Sequence, residues 1–168
     1  YPILDLTVTD VKVNMPATIQ AQAGGGAPGP AGAAAAAPSE KLADGVYLIL
    51  GGYASLAVDF KDYIVVIEGP QSEERASAII TEAKRLIPNK PIRYLVNTHV
   101  HFDHASGLRT FVAEGATIIT HQSNVAYINE ILKRPHTINP DALAKKAGAK
   151  LPKITSIGDE SPAWALLQ

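Results

Sequence analysis

Three of the five histidines of this 168-residue chain lie, together with one aspartate, within six consecutive positions. They form the motif H-x-H-x-D-H at residues 99–104, in the segment NTHVHFDHASG, directly after the run IRYLV. A short, mostly apolar run of this kind is typical of a buried strand. The motif therefore places a cluster of ionisable side chains at the end of a buried strand, and the rest of the fold has to leave space for it.

The spacing of the motif predicts that its side chains converge. Side chains at alternate positions of an extended strand point to the same side. If the strand continues through the motif, Val100 and Phe102 face the core, and His104 reaches the same cavity from the turn into the next helix. Three ligands at alternate positions then face one way, namely His99, His101 and Asp103.

Imidazole and carboxylate groups in this pattern predict a metal site. They suit zinc, and also iron or manganese. A site without thiolate ligands leaves the metal acidic enough to lower the pKa of a bound water toward ~7. The motif is also far more specific than a short glycine pattern. We therefore expect metal binding by four residues, His99, His101, Asp103 and His104.

Composition excludes several other classes of function. The formal charge of -1 and the absence of a Lys/Arg cluster provide no basic surface for a nucleic acid. The chain has no cysteine, which excludes disulfides, thiolate-bound zinc and thiol nucleophiles. No apolar run approaches the ~18 residues of a membrane span. We therefore expect a small-molecule substrate, with no nucleic acid and no membrane as partner.

The chain divides by composition into an arm and a packed domain. Residues 21–38 are almost entirely Ala, Gly and Pro, which indicates a flexible linker. The preceding segment LDLTVTDVKVNM alternates apolar and polar residues, so it is either one strand or an extended arm. We assign residues 1–39 to the arm and linker, and residues 40–168 to one partial domain. The first residue is Tyr1 rather than Met, and we expect further chain upstream.

The packed domain reads as strands followed by alternating helices and strands. GVYLILGG, SLAVDF and YIVVIEG predict a meander of three strands. SEERASAIITEAKRLI predicts an amphipathic helix with Ser72 as its N-cap. After the strand IRYLVNT we predict a helix over ASGLRTFVAE, a strand ATIITH, a helix over residues 123–133 and another near PDALAKKAG. This order predicts a layered α/β sheet protein, whereas the last residues, ITSIGDESPAWALLQ, contain no recognisable closing strand.

Taken with its flanks, the motif resembles a known family. THVHFDHASG, preceded by SLAVDFKDYIVVIEGP and LIPNKPIRYLVNTH and followed by GLRTFVAEGATIITHQSN, resembles the metallo-β-lactamase-fold hydrolases, especially a group of uncharacterised bacterial members. The resemblance covers about residues 40–150 and the amino-terminal half of the family's αββα sandwich. It implies a metal site at the sheet edge between two similar halves.

The resemblance also implies roles for the motif residues. His99 and His101 would hold a first zinc ion, and Asp103 and His104 a second, with Asp103 as the catalytic carboxylate. The implied mechanism is a metal-bridging hydroxide that attacks a carbonyl or phosphoryl centre. The substrate would be an ester, a thioester, an amide or lactam, or a phosphoester.

The sequence departs from the family pattern at two points. The family usually has a Gly pair after the last His, and here the first member is Ser106, which would be strained if the position needs a positive φ. The family also takes further ligands from its second half, and this chain has no His after His136. We therefore expect the chain to be the amino-terminal part of a longer protein.

Five further polar residues are weaker candidates. His121 ends a predicted strand, and we assign it a structural or supporting role before a ligand role. His136 reads as an ordinary histidine, Asp141 as a partner of a helix N-terminus, and Asp159 as a turn residue. Glu68 follows YIVVI, where the family often has an acidic residue, and we expect a structural role for it.

Three hypotheses about function remain open at this stage. The first is a metal-dependent hydrolase of the metallo-β-lactamase fold. The second is a non-catalytic metal-binding or interaction module, a half-domain that associates with itself or with a partner chain to complete the site. The third is a fragment with no independent role. We adopt the first, and the Ala/Pro-rich extension favours a periplasmic or secreted location over the cytoplasm.

Overall fold

The computed structural model of the chain describes residues 37–146, 148, 151 and 154–158. The predicted arm and most of the predicted linker, residues 1–36, lie outside these residues, as does Asp159. Ala37, at the end of the linker, is buried in the core. The carbonyl of Pro38 accepts a hydrogen bond of 2.7 Å from the backbone N–H of Leu50, so these two linker residues contact the domain.

A single seven-stranded sheet follows the order of the chain from one edge to the other. Neighbouring strands are antiparallel from β1 to β4 and parallel from β4 to β7. The strands are β1 (Ser39–Ala43), β2 (Val46–Ile49), β3 (Ser55–Asp59), β4 (Ile64–Ile67), β5 (Ile92–Asn97), β6 (Thr117–His121) and β7 (Thr155–Ile157). The predicted meander is β2 to β4, and it is confirmed.

Helices make the connections between the parallel strands, as parallel pairing requires. They are α1 (Glu73–Leu86), α2 (Phe102–Ala105), α3 (Leu108–Glu114), α4 (Val125–Lys133) and α5 (Ala142–Lys145). The predicted start of α1 is confirmed, because the Ser72 side chain accepts a hydrogen bond from the backbone N–H of Arg75. Glu73 and Glu74 lie in its first turn, where the helix dipole favours negative charge.

The core lies between one face of the sheet and these helices. Ala57, Val66, Leu95 and Ile118 are fully buried and lie opposite one another across four neighbouring strands. They belong to the same cluster as Ile79 of α1 and Phe111 of α3, which are also fully buried. Fully burying a side chain of this size contributes about 1.5–3 kcal/mol, so this face holds the helical layer on the sheet.

The opposite face of the sheet carries a second apolar row. Leu56, Ile67, Val96 and Ile119 lie opposite one another across β3 to β6. Ile119 is buried and the other three are half-buried. A sheet with helices on one face and apolar side chains on both faces is the arrangement expected for half of a layered α/β sandwich, and the predicted fold class is confirmed.

Two strands were not predicted. β1 has the sequence SEKLA and is largely exposed, so it lacks the apolar alternation from which an edge strand is recognised. The expectation of no closing strand was wrong, because Thr155–Ile157 pairs in parallel with β6. A three-residue strand carries too little pattern to be detected without its neighbour. No helix among the described residues is long and apolar enough to cross a membrane.

Candidate metal centre

The segment that carries the motif is a loop followed by one helical turn. β5 ends at Asn97, and α2 begins at Phe102 with His101 as its extended N-cap residue. The backbone N–H of Ala105 donates to the carbonyl of His101 at 2.9 Å, which closes the turn. The predicted extended register was therefore wrong for Asp103, which projects from a helix rather than a strand, whereas His104 lies in the turn after the strand as expected.

Three motif residues come together in this segment. His99, Asp103 and His104 each offer one ligand atom, and these atoms lie within 4.8 Å of one another. The rings of His99 and His104 have centroids 4.1 Å apart, and Nε2 of His104 lies 3.4 Å from Oδ2 of Asp103. All three residues are half-buried, so the group is reachable from solvent while part of each side chain is shielded.

His101 lies beside this group but outside it. Its side chain is exposed, and its ring meets the ring of His99 edge-on with centroids 4.8 Å apart. Val100 and Phe102, the apolar residues of the motif, have different environments. Val100 packs against the core as predicted, whereas Phe102 is 67% exposed. The predicted core position of Phe102 was wrong, because the chain has turned into α2 at this point.

Glu68 contacts the motif from the neighbouring strand. It follows β4, and the carboxyl ends of the parallel strands β4 and β5 lie at the same edge of the sheet. Its Oε1 accepts a hydrogen bond of 3.2 Å from the backbone N–H of Thr98, and its Oε2 lies 3.3 Å from Nδ1 of His104. The backbone of Glu68 is left-handed, with φ of 72°, so a non-glycine residue holds an unfavourable conformation beside the ligands.

The contact of Glu68 with the motif was not predicted, although the position of Glu68 in the sequence could have indicated it. An acidic residue directly after a buried strand, next in the sheet to the strand before the motif, has its carboxylate at the motif's edge. Neither Oε2 of Glu68 nor Nδ1 of His104 has a hydrogen-bond partner among the described residues, although both atoms are buried. These two atoms lie 3.3 Å apart, so Glu68 contacts the His104 ring from outside the motif.

An aromatic side chain borders the ligand group on the β2–β3 loop. The ring of Tyr53 lies 6.5 Å from that of Phe102 and 6.3 Å from that of His104, centroid to centroid. Nη2 of Arg75 holds this loop, donating to the carbonyls of Tyr53 and Ile49 at 3.0 and 3.1 Å. Burial lowers the pKa of the Arg75 guanidinium from its ordinary value, although a group that starts so high remains charged at neutral pH.

A cavity of about 360 Å³ lies against the opposite side of α2. Phe102 and Ala105, which are three residues apart on the helix, line it together with Tyr127 and Ile131 of α4. Asp103 and His104 do not line it. The helical turn thus separates the ligand group from this cavity.

The two remaining histidines each contact a residue outside the ligand group. Nδ1 of His121 lies 2.7 Å from the hydroxyl of Ser123, at the start of a short 3-10 turn. His136 lies with its Nδ1 3.4 Å from Oδ2 of Asp141. The structural or supporting roles expected for these histidines stay predictions.

Asp141 has the predicted position at a helix start and a second partner that was not predicted. Its side chain accepts a hydrogen bond from the backbone N–H of Ala144 and forms a buried ion pair with Arg109. Burial works against the charged carboxylate, but the hydrogen bonds from Arg109 and Ala144 outweigh it and lower the pKa of Asp141. Nη1 of Arg109 also donates to the carbonyls of Ile131 and Leu132, at the end of α4. This cluster joins α3, α4 and α5 and has a structural role.

Comparison with known proteins establishes the family. The family model described as the metallo-beta-lactamase superfamily matches residues 51–156, a range that contains the whole motif. The chain belongs to the metallo-β-lactamase superfamily. The resemblance inferred from the sequence is thereby confirmed. No match was found among curated proteins.

Solved structures of superfamily members are similar to this chain at low sequence identity. A metallo-β-lactamase with an HARLDQ motif from Cronobacter sakazakii is 20% identical, with a TM-score of 0.51 over 76% of this chain and 46% of that one. FIM-1 from Pseudomonas aeruginosa in its mono-zinc form is 16% identical, with a TM-score of 0.51 over 77% and 54%. A metallo-β-lactamase from Hirschia baltica is 22% identical, with a TM-score of 0.48 over 58% and 49%. The chain thus spans about half the length of these relatives.

Ser106 and Gly107, the two residues that follow Ala105, differ in how closely they are packed. Ser106 has φ of -66°, so serine is accommodated here without left-handed strain. Gly107 is different, because a Cβ atom at this position would lie 2.7 Å from Cβ of Ala76 and 2.9 Å from the carbonyl oxygen of Gly69. Its N–H donates to that same carbonyl at 2.9 Å. Close packing therefore requires glycine at position 107 and not at position 106.

Proposed function

We propose that this protein is a metal-dependent hydrolase whose site is formed by His99, Asp103 and His104. Superfamily membership supports the reaction class, since its members are metal-dependent hydrolases. The observation that carries the proposal is the convergence of two imidazoles and one carboxylate within 4.8 Å. Catalytic zinc sites typically have three protein ligands of these kinds and one open position.

The residues present fit a zinc ion. Nδ1 of His99 lies 2.9 Å from the hydroxyl of Thr98, which leaves Nε2 of His99 as its ligand atom. Nε2 of His104 lies toward Asp103, while its Nδ1 faces the carboxylate of Glu68. An imidazole that binds zinc through one nitrogen usually donates from the other to a carboxylate or carbonyl. Glu68 Oε2 and His104 Nδ1 are buried 3.3 Å apart, which supports zinc binding through Nε2 of His104.

A metal ion bound here would make water a nucleophile near neutral pH and polarise the bond to be cleaved. Neighbouring residues of the chain would orient the ligand side chains. Thr98 and Glu68 would fix the tautomers of His99 and His104, and Asp103 would supply the negative charge of the ligand set. The family resemblance predicts a different division, with His99 and His101 on a first ion and Asp103 and His104 on a second, and His101 is exposed beside His99. Iron or manganese is an alternative to zinc.

The proposed substrate is a small molecule with an ester, thioester, amide or lactam, or phosphoester bond. Export to the periplasm or beyond the cell remains a proposal from the sequence alone. Because the chain spans about half the length of its solved relatives, the activity and partners of the whole protein are likewise proposals.

Metal analysis followed by hydrolysis assays tests the function. We expect bound zinc in the purified protein, and cleavage of nitrophenyl esters, bis(4-nitrophenyl) phosphate or a chromogenic cephalosporin that stops with a chelator and returns with zinc. Asp103→Ala and His104→Ala should lose both metal and turnover, whereas His136→Ala, an imidazole outside the group, should retain both. Wild-type turnover in Asp103→Ala would refute the proposal. Tight zinc binding without cleavage of any of these substrates would favour the metal-binding module instead.

A further inference from the structure

Asn97 is a polar residue in a position that the sheet otherwise fills with apolar side chains. It is the last residue of β5 and is 1% exposed. It lies on the same face of the strand as Leu95, which is part of the core beneath the helices. A buried amide in such a position needs partners, because an unpaired polar group in the interior is destabilising.

The partners of Asn97 are the two ends of the segment that carries the ligands. Its Nδ2 donates to the carbonyl of His99 at 2.8 Å and to the carbonyl of His104 at 3.1 Å. These residues are the first and last ligands of the proposed site. One amide group thus spans the loop and the helical turn, and it holds their backbones at a set distance from each other.

The chemistry of the amide makes this contact specific for asparagine. Both hydrogens of Nδ2 are directed at carbonyl oxygens, and a flipped amide would place its own oxygen against them. Oδ1 is buried and has no hydrogen-bond partner among the described residues. Aspartate has no hydrogen to donate when ionised, and leucine has none at all. Serine has one donor on a shorter side chain. None of these three residues can therefore donate to both carbonyls.

We propose that Asn97 is a positioning residue of the metal centre, which sets the spacing of His99 and His104 through their backbone carbonyls. The inference rests on the proposed function, since it concerns the same site. Asn97 does not touch the ligand atoms, so its effect is on metal affinity and coordination geometry. Substitutions of groups that orient metal ligands typically weaken binding about 10- to 100-fold.

The test compares Asn97→Leu and Asn97→Asp with the wild type in zinc affinity and in the absorption spectrum of bound Co²⁺. We expect zinc affinity to fall about 10- to 100-fold, with a changed Co²⁺ spectrum and retained far-UV circular dichroism. Glu82→Gln is the matched control. Glu82 is equally buried and bonds to Ser39 and Arg85, away from the ligand segment, so we expect this variant to lose stability while retaining affinity and spectrum.

The outcomes separate this inference from the proposed function. Folded Asn97→Leu and Asn97→Asp with wild-type affinity and spectrum would overturn the inference alone, and so would an equal loss of affinity in Glu82→Gln. If Asn97→Leu and Asn97→Asp do not fold, Asn97→Ser, with one remaining donor, should fold and show a smaller loss in the same direction. If the wild type binds no metal, the proposed function fails. Hydrogen exchange of residues 98–105 then decides the positioning role, because faster exchange in Asn97→Leu supports it and unchanged exchange overturns it.

Discussion

The carboxylate of Glu68, a residue whose backbone is left-handed, lies with its Oε2 3.3 Å from Nδ1 of His104. The two residues are on different parts of the chain and meet because β4 and β5 are parallel neighbours. The pair thus combines an unfavourable backbone conformation with a buried acceptor and a buried ring nitrogen that have no hydrogen-bond partner among the described residues. Conformational strain of this kind is concentrated at functional sites, and the pair yields the first prediction.

Removing the charge of Glu68 should weaken metal binding. We expect Glu68→Gln to bind zinc about 10- to 100-fold less tightly, because the amide is a weaker acceptor for the His104 N–H than the carboxylate. Competition with a chromophoric chelator measures this affinity. Glu74→Gln, an exposed glutamate in the first turn of α1, is the control and should bind as the wild type. Equal affinity in Glu68→Gln and the wild type would contradict the prediction.

The left-handed backbone of Glu68 allows stability and metal binding to be separated. Glycine adopts positive φ without steric cost, whereas alanine does not. We therefore expect Glu68→Gly to have a higher free energy of unfolding than Glu68→Ala, although both variants lack the carboxylate and bind zinc weakly. Urea unfolding of the metal-free proteins measures the difference. A lower stability of Glu68→Gly would show that the conformation at this position is not left-handed.

The buried ion pair between Arg109 and Asp141 should make stability depend on acid pH. The pKa of Asp141 is lowered in the folded protein, so the pair stabilises the fold above the ordinary Asp value of 3.8. This contribution is lost as the pH falls through the lower folded-state pKa. Asp141→Asn should cost about 3–5 kcal/mol at neutral pH, because it leaves the Arg109 charge buried and unpaired. Urea unfolding at neutral pH and at about pH 2 measures this contribution. An equal difference in the free energy of unfolding between wild type and Asp141→Asn at both pH values would argue against the ion pair.

The close approach of Gly107 to α1 predicts a strong effect of a single methyl group. Gly107→Ala should lower the free energy of unfolding by roughly 1–3 kcal/mol, because the new Cβ meets Ala76 and the carbonyl of Gly69. Thermal and urea unfolding measure the change. Ser106→Ala, at the exposed neighbouring position, should stay within about 0.5 kcal/mol of the wild type. Similar stabilities of the two variants would mean that α3 does not approach Gly69 so closely.

Arg75 should limit the local opening of the β2–β3 loop beside the ligands. Arg75→Met removes both hydrogen bonds to the carbonyls of Ile49 and Tyr53 while retaining much of the apolar stem. Because each such bond contributes about 1 kcal/mol, we expect hydrogen exchange of residues 50–55 to accelerate by at least about tenfold. Arg93→Met, an exposed arginine over the rings of Tyr63 and Tyr94, should leave this loop unchanged. Unaltered exchange in Arg75→Met would contradict the assigned role.

Much of the fold could be predicted because its signals are local. The Ser72 cap and the apolar spacing of α1 lie within one stretch of sequence, and the apolar runs of β2 to β6 are each long enough to be recognised. β1 and β7 are at the two edges of the sheet and contain few apolar residues. Their pairing depends on β2 and β6, which no local pattern shows.

The site was predictable in its residue types and only partly in its geometry. Alternation along a strand placed His101 and Asp103 side by side, but α2 begins at Phe102 and rotates Asp103 and His104 onto a helical turn. That turn contacts residues outside the motif, as in the hydrogen bond of 3.3 Å from the Gln71 N–H to the carbonyl of Phe102. Predicting where the strand ends would have required those tertiary partners.

The sequence by itself determined that four ligand-type side chains follow a buried strand within six residues, because both the apolar run and the motif are local. The tertiary structure decided that His99, Asp103 and His104 converge while His101 stays exposed. It also brought Glu68 to His104 from a position 36 residues earlier in the chain. The physical reason is that convergence depends on how the backbone turns after β5 and on which side chains neighbouring strands place at that edge, and these are properties of the folded sheet.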